Sequence, residues 1–277
     1  MNSDILIFGK GFIGTRLQEG LDCAISGKKI FRLADAQEEI ANFKPKVIIN
    51  CIGHIGRNVD DCEADIDLTL SANVFAPLVL AEAALRNRIK FIQISSGCIF
   101  HYDYGKNVPI DETKDPDFFG LFYSRTKIYS EQAIRLLCGK FPVLIVRIRV
   151  PLDNRPGARN LIDKLAVYKK AIDLPNSVTY IPDFISAMKH LLKIDASGIY
   201  NVVNKGGLYY PRLLDVYKKY VPDFQYETIE FKKLNSVRTN LILSTKKLED
   251  SGFIVRHVND VLEECVSNYI VTTEKLL

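Results

Sequence analysis

Gly9-Lys10-Gly11-Phe12-Ile13-Gly14 follows directly on the apolar run Asp4–Phe8 near the start of the chain. Three glycines at this spacing, after a strand and before a helix, dictate a particular backbone. The first two permit a tight turn and close approach of the main chain to a bound group, and the third lets the helix pack closely on the strand. The helix N-terminus then offers unpaired N–H donors, which suit an anion such as a pyrophosphate. Further along, the apolar runs Lys46–Cys51, Phe91–Ser95 and Val143–Val150 alternate with helix-length stretches at Leu68–Arg86 and Leu121–Leu137. That alternation is the pattern of βαβ units and a parallel sheet.

The expected fold is therefore α/β: a Rossmann-type doubly wound parallel sheet with a smaller α+β substrate domain. Residues 1–150 form the first domain and 151–277 the second, some segments of which return to the first. After Pro151 the pattern loosens. Asn154–Arg159 reads as a turn-rich linker, followed by helices near Leu161–Lys170 and Phe184–Leu192 and a strand at Ile199–Val203. A short helix is expected at Ser244–Gly252, N-capped by Ser244 or Thr245, and a last one at Val258–Ile270. Composition agrees with a globular chain of 277 residues: 47% apolar and 25% charged, with no repeat or low-complexity tract. The net charge of +4 is spread along the sequence, which leaves no basic footprint for nucleic acid.

The six cysteines, Cys23, Cys51, Cys62, Cys98, Cys138 and Cys265, form no C-x-x-C pair and match neither a zinc site nor a disulfide framework. The first residues read as no signal peptide. Apolar runs such as Val143–Val146 fall far short of the ~20 residues of a membrane span. A reducing cytosol, that of a host cell if the source is viral, is the expected compartment.

The glycine loop points to a dinucleotide. An acidic residue about 20 residues on, at the end of the second strand, usually bonds the ribose 2′-hydroxyl of NAD. Here that strand is expected at Cys23–Ser26, followed by Gly27-Lys28-Lys29 and then Arg32. With Lys10 in the loop and no carboxylate to repel a 2′-phosphate, the pattern favours NADPH over NADH; solvated surface charge is the alternative for these cations. Tyr123 and Lys127 stand at i, i+4 on one helix face. An ammonium beside a tyrosine favours its phenolate and makes it a usable proton donor near neutrality. Ser95-Ser96 at a strand end adds a hydroxyl that can polarise a carbonyl, and Asn73 in the preceding helix can hold a water.

Gly9–Gly14, Asn50, Asn73, Ser96 and Tyr123/Lys127 stand in the order of an extended short-chain dehydrogenase/reductase, a family this chain resembles. Other segments are similar to the bifunctional UDP-4-keto-6-deoxyglucose 3,5-epimerase/4-reductases of UDP-L-rhamnose synthesis, of plant and giant-virus type. These are Gly56-Arg-Asn-Val-Asp-Asp-Cys-Glu63, Ser96-Gly-Cys-Ile-Phe100, Phe122-Tyr-Ser-Arg-Thr-Lys127, Val146-Arg-Ile-Arg-Val-Pro151, Ala158-Arg-Asn-Leu-Ile-Asp-Lys164 and Ile172-Asp-Leu-Pro-Asn-Ser177. The resemblance to dTDP-4-dehydrorhamnose reductase is more distant. Ser96 stands where the plant enzymes carry Thr, and the loop from Phe100 to Phe122 is shorter than theirs.

The resemblance implies a reductase triad of Ser96, Tyr123 and Lys127, and an epimerising pair of Cys98 and Lys164. It implies cofactor contacts from Gly9, Lys10, Gly11, Phe12, Ile13, Gly14, Arg32, Asn50 and Lys127. Asn73, Arg57, Asn58 and Asn160 are the expected substrate contacts, and no metal is expected. The implied substrate is a UDP- or dTDP-linked 4-keto sugar from a separate 4,6-dehydratase, and the implied assembly is a homodimer through Leu68–Arg86 and Leu121–Leu137. The chemistry is coherent: removing a proton α to the C4 ketone yields an enolate that the same hydroxyls would stabilise. Two rival readings remain: a 4-reductase without epimerase activity, and a non-catalytic NADP-binding regulatory subunit. His54 and His101 read as bystanders.

Overall fold

The structure is a computed structural model that describes residues 2–234 and 236–275. The chain divides into two compact units. The first comprises the described residues up to Ile99 together with Pro116–Arg147 and Met188–Tyr200; the second comprises Phe100–Asp115, Ile148–Ala187 and the described residues from Asn201 onward. Relative to a single cut at residue 150, segments 100–115 and 188–200 are exchanged.

The first unit is built on β1 (Asn2–Phe8), β2 (Cys23–Ser26), β3 (Val47–Asn50), β4 (Lys90–Ser96) and β5 (Val143–Ile148). With β9 (Gly198–Asn201) they form a six-stranded sheet in the order β2-β1-β3-β4-β5-β9. The β1–β2, β1–β3 and β3–β4 pairs are parallel. Strands that read as continuous apolar runs are buried on both faces, as a parallel sheet under helices requires. Every residue of β4 and β5 is buried. Helices α1 (Phe12–Leu21), α2 (Leu33–Phe43), α3 (Asp61–Ala64), α4 (Ile66–Leu70), α5 (Ala76–Asn87) and α6 (Phe122–Arg135) complete this unit. One core cluster joins Leu6, Phe8, Ile48, Phe91 and Val143 of the sheet to Ile40 of α2, Leu80 of α5 and Ile134 of α6. Each such side chain contributes about 1.5–3 kcal/mol on burial.

The sequence gives no expectation of α2, whose Leu-Ala-Asp-Ala-Gln-Glu-Glu-Ile run buries only Ala36 and Ile40. Its start is fixed by Asp35, which accepts the Phe31 and Arg32 N–H groups at 3.0 and 2.9 Å. Those bonds hold the Asp35 carboxyl below its ordinary range. The helix expected at Leu68–Arg86 is α4, a π-helical turn at Ser71–Phe75, and α5. Ile66–Asn87 is long and apolar enough to cross a membrane by length and composition alone. Leu80, Ala81, Ala83 and Ala84 belong to the core cluster, so the apolarity serves packing within this unit.

The second unit holds β6 (Pro151–Leu152) paired with β8 (Thr179–Tyr180), and β7 (Lys170–Ile172) paired with β10 (Glu227–Ile229). Around them lie α7 (Leu161–Tyr168), α9 (Tyr210–Lys218), α10 (Lys246–Asp250) and α11 (Leu262–Glu274); α8 (Ile181–Lys193) begins in this unit and ends in the first. Its core joins Leu161, Ile162 and Leu165 of α7 to Leu213 and Leu214 of α9 and Leu262, Cys265 and Val266 of α11. Several expected boundaries shift. The strand expected to reach Val150 stops at Ile148, because Val150 sits at φ 27° immediately before Pro151. A β-branched residue there is strained and turns the chain. The helix near Leu161–Lys170 ends at Tyr168 with Lys169 left-handed, and Lys170 begins β7. The strand near Ile199–Val203 stops at Asn201, while Thr245, one of the two expected N-caps, is the N-cap of α10.

Candidate functional site

The turn from β1 into α1 has the geometry that its glycines require. Gly9 sits at φ 102°, and a Cβ there would lie 2.6 Å from the Ile52 nitrogen. A Cβ on Gly14 would meet the Gly9 carbonyl oxygen at 2.0 Å, so helix and turn touch only because both residues lack side chains. Gly11 is different: it is the N-cap of α1, without a side-chain cap, and a Cβ there would meet nothing within 4 Å. The open helix end therefore faces free space with its N–H donors. Phe12 and Ile13 are half-buried, and Lys10 is exposed.

The basic residues after β2 divide. Lys28 is spent on Glu38 at 2.5 Å. Arg32 keeps 81% of its side chain exposed, 3.8 Å from Asp35, and Lys29 is exposed too. A Cβ on Gly27 would lie 3.8 Å from the Lys10 side chain, which brings the loop lysine to the end of β2.

Around the end of β4 the structure gathers Ser96, Cys98, Tyr123 and Lys127. The Lys127 amine donates to the Ile94 carbonyl at 3.4 Å, which sets α6 against the strand that ends at Ser96. The Ser96 hydroxyl accepts the Cys98 N–H at 3.1 Å. The Cys98 carbonyl accepts the Ser124 hydroxyl at 2.6 Å. The half-buried Cys98 is therefore pinned between Ser96 and the neighbour of Tyr123. Lys127 is almost fully buried, and burial pushes its amine down to about 8, while Glu131 one turn further on pulls it back up.

Glu131 and Arg147 were not singled out in the sequence, yet they underpin this corner. Both are fully buried. Arg147 donates to Glu131 through Nε at 3.0 Å and Nη2 at 2.5 Å, and the Ser95 hydroxyl donates to the same carboxylate at 2.5 Å. An arginine inside the apolar run Val143–Ile148 was the available signal, since a buried charge demands a partner.

Three asparagines expected to touch ligands are buried and hydrogen-bonded within the chain. Asn50 is fully buried; its amide donates to Gln93 at 2.9 Å and its oxygen accepts the Ile52 N–H at 2.9 Å. It holds the segment that abuts Gly9. Asn73, in the π turn, accepts the His54 N–H at 2.7 Å and donates to the His54 carbonyl at 2.9 Å and the Thr126 hydroxyl at 3.3 Å. It ties the loop after β3 to α6, and both of its donors are used. Asn160 caps α7, accepts the Asp153 N–H at 3.0 Å and donates to the Asp153 and Arg155 carbonyls at 2.8 and 2.9 Å. All three brace the backbone around them.

The other expected contacts lie on two loops. Arg57 has a side chain 92% exposed at the tip of the loop before α3, and Asn58 accepts the Asp60 N–H at 2.8 Å. His54 stands 3.3 Å from an Asp65 carboxylate oxygen, and His101 is exposed. Lys164 is half-buried on α7 in the second unit, its amine pushed down by burial and then by the Arg159 charge.

A strand–glycine turn–helix start, with Ser96 at the end of a parallel strand and Tyr123 and Lys127 on the helix beside it, is the arrangement of a dinucleotide-binding Rossmann-like fold. Residues 3–206 match the RmlD substrate binding domain model, and the chain belongs to that family. It is 33% identical over 265 residues to a bifunctional dTDP-4-dehydrorhamnose 3,5-epimerase/dTDP-4-dehydrorhamnose reductase of Arabidopsis thaliana, covering 89% of this chain and 86% of that protein. It is 32% identical over 262 residues, 88% of its length, to the Arabidopsis thaliana trifunctional UDP-glucose 4,6-dehydratase/UDP-4-keto-6-deoxy-D-glucose 3,5-epimerase/UDP-4-keto-L-rhamnose-reductase RHM2, of which the match spans only 38%. In fold it is similar to the L780 UDP-rhamnose synthase of Acanthamoeba polyphaga mimivirus, with TM-score 0.88, 24% identity, and 95% and 98% of the two chains covered. It is also similar in fold to a Bacillus anthracis dTDP-4-dehydrorhamnose reductase solved with NADP, with TM-score 0.81, 21% identity, and 97% and 99% covered.

Proposed function

We propose that the chain is an NADPH-dependent 3,5-epimerase/4-reductase that converts UDP-4-keto-6-deoxy-D-glucose to UDP-L-rhamnose. The observation that carries this reading is the corner at the end of β4, where Cys98 is bonded on one side to Ser96 and on the other to α6 beside Tyr123. Ser96 and Cys98, one assigned here to reduction and the other to epimerisation, thereby stand two residues apart on one short segment. The relatives named above support both halves, because their names pair the two activities on similar sequence.

Residues fit the cofactor: the Gly9 turn and bare α1 terminus suit a pyrophosphate, and Lys10 with Arg32 suits a 2′-phosphate. Bound NADPH supplies the hydride. Ser96 and Tyr123 hydrogen-bond the C4 oxygen, first as a ketone, then as an enolate. Cys98 and Lys164 exchange the protons at C3 and C5, one group removing a proton from one ring face and the other returning one to the opposite face. A lysine whose amine is pushed down by burial and a neighbouring cation is suited to the base role. During reduction Tyr123 gives its proton to the C4 oxygen, and the Lys127 ammonium favours the phenolate left behind.

In this reading a separate 4,6-dehydratase supplies the ketone, and six free cysteines fit a reducing cytosol. Exposed Leu68, Phe75 and Tyr129 on the α4–α5 and α6 helices provide the homodimer face. The test is incubation with UDP-4-keto-6-deoxyglucose and NADPH in heavy water. Deuterium at C3 and C5 of a rhamnose product is the expected result. Reduction without deuterium would leave a 4-reductase; no NADPH oxidation with UDP- or dTDP-linked ketones would leave a binding subunit.

A further inference from the structure

Among the described residues, several other cations drawn out of water have a counter-ion or acceptor in contact, although Arg147 Nη1 is itself left without a partner. Arg147 has Glu131; Arg149 reaches the Asn176 side chain and the Thr239 carbonyl; Lys90 has Asp195 at 2.5 Å and the Ala196 carbonyl at 2.7 Å; Arg256 has Asp183 and Glu264. Arg159 breaks the pattern. Its Nη1 is buried without a hydrogen-bond partner, and no ion pair reaches its guanidinium among the described residues. The Lys164 amine, in the same unit, also has no hydrogen bond or ion pair among the described residues, and the two cations repel.

The nearby carboxylate does not relieve this. Asp163 accepts the Gly157 N–H at 3.1 Å and the Tyr269 hydroxyl. Nor is Arg159 on a slack loop. The adjoining Asn160 is bonded through its side chain to Asp153 and Arg155, and its N–H donates to the Gly157 carbonyl at 2.7 Å. A half-buried guanidinium held on a braced loop, next to a second cation and without an anion of its own, is electrostatically incomplete. An anion that accepts planar, paired N–H donors completes it, and a phosphate does so best.

We infer that Arg159 binds the sugar-linked phosphate of a nucleoside diphosphate sugar. This rests on the nucleotide-sugar reading above and deepens it. The phosphate on C1 neutralises Arg159, while Lys164, five residues on, is left for the ring. A charge-assisted hydrogen bond contributes about 1.5–3 kcal/mol, which is roughly a 10- to 100-fold change in affinity.

Calorimetric titration of UDP and UMP into the whole protein, wild type and Arg159→Gln, tests the assignment. UDP, which retains the sugar-proximal phosphate, should lose about 10- to 100-fold in the variant, UMP less than about threefold, and Arg159→Lys should recover part of the loss. Unchanged NADPH affinity shows that the variant is folded. In the wild type, inorganic pyrophosphate should compete with UDP, an expectation independent of any variant. Equal losses for UDP and UMP, no loss for either, or no competition by pyrophosphate would overturn the role of Arg159 alone. Wild-type protein that binds neither UDP nor dTDP overturns the nucleotide-sugar reading, and the Arg159 assignment with it.

Discussion

Lys127 and Lys164 are both lysines drawn out of water, yet their surroundings are opposite. Lys127 stands in the sheet unit above a carboxylate, with Glu131 held by Arg147 and Ser95. Lys164 stands in the second unit beside Arg159, with no carboxylate in contact among the described residues. Burial lowers both amines, but the neighbour opposes the shift at Lys127 and adds to it at Lys164. In the proposed reaction the first arrangement would retain a proton to hold a phenolate and a ribose, and the second would release one. A lysine's role follows from the sign of its neighbour as much as from its depth.

The largest effect belongs to the triad. Tyr123→Phe or Lys127→Met should lower the rate of 4-keto reduction by about 10²–10⁴-fold, the usual contribution of a positioned acid–base group. Lys127 also makes the comparison measurable in stability. Its amine titrates near 8 in the folded chain against an ordinary 10.5. Between these values the unfolded chain binds more protons, so stability rises with pH across that window. Denaturant titrations from pH 7 to 10 should show this rise in the wild type and not in Lys127→Met. A flat wild-type profile would mean that the amine is not desolvated.

Next comes the support beneath it. Glu131→Gln leaves the Arg147 charge buried without its counter-ion, at about 3–5 kcal/mol of stability. The double variant Glu131→Leu/Arg147→Met should recover most of that loss, because two apolar groups can replace a buried pair. Removing the Glu131 charge alone also lowers the Lys127 amine further, so the alkaline limb of reduction should move to lower pH. A limb that stays in place would show that Glu131 is only structural.

What the sequence disclosed was local. The Gly9–Gly14 turn and the Tyr123/Lys127 pair depend on spacings within one turn or one helix face, and both are readable without the fold. The internal hydrogen bonds of Asn50, Asn73 and Asn160 were not legible, for the converse reason. An amide that braces a backbone and one that faces a ligand look alike in sequence; the difference lies in Gln93, His54 and Asp153, which only the fold brings near. The β7–β10 pairing was invisible likewise, since three-residue strands distant in sequence carry no period of their own. Arg147 announced a partner, but not that the partner would be one turn beyond Lys127.

Cys98→Ala separates the two regions chemically. Deuterium incorporation at C3 and C5 should fall by about 10²-fold or more, as when a general acid or base is removed, while reduction of an already epimerised ketone persists. The smallest effect concerns Lys164 and its neighbour. Exchange at C3 and C5 needs the neutral amine, so its rate should climb with pH along an acid limb. Arg159→Gln removes the repulsion that favours the neutral form, and with substrate saturating that limb should move to higher pH. Arg159→Lys keeps the charge and should leave it near the wild-type position. If the limb stays put in Arg159→Gln, burial alone sets the Lys164 amine, and the contrast with Lys127 reduces to Glu131.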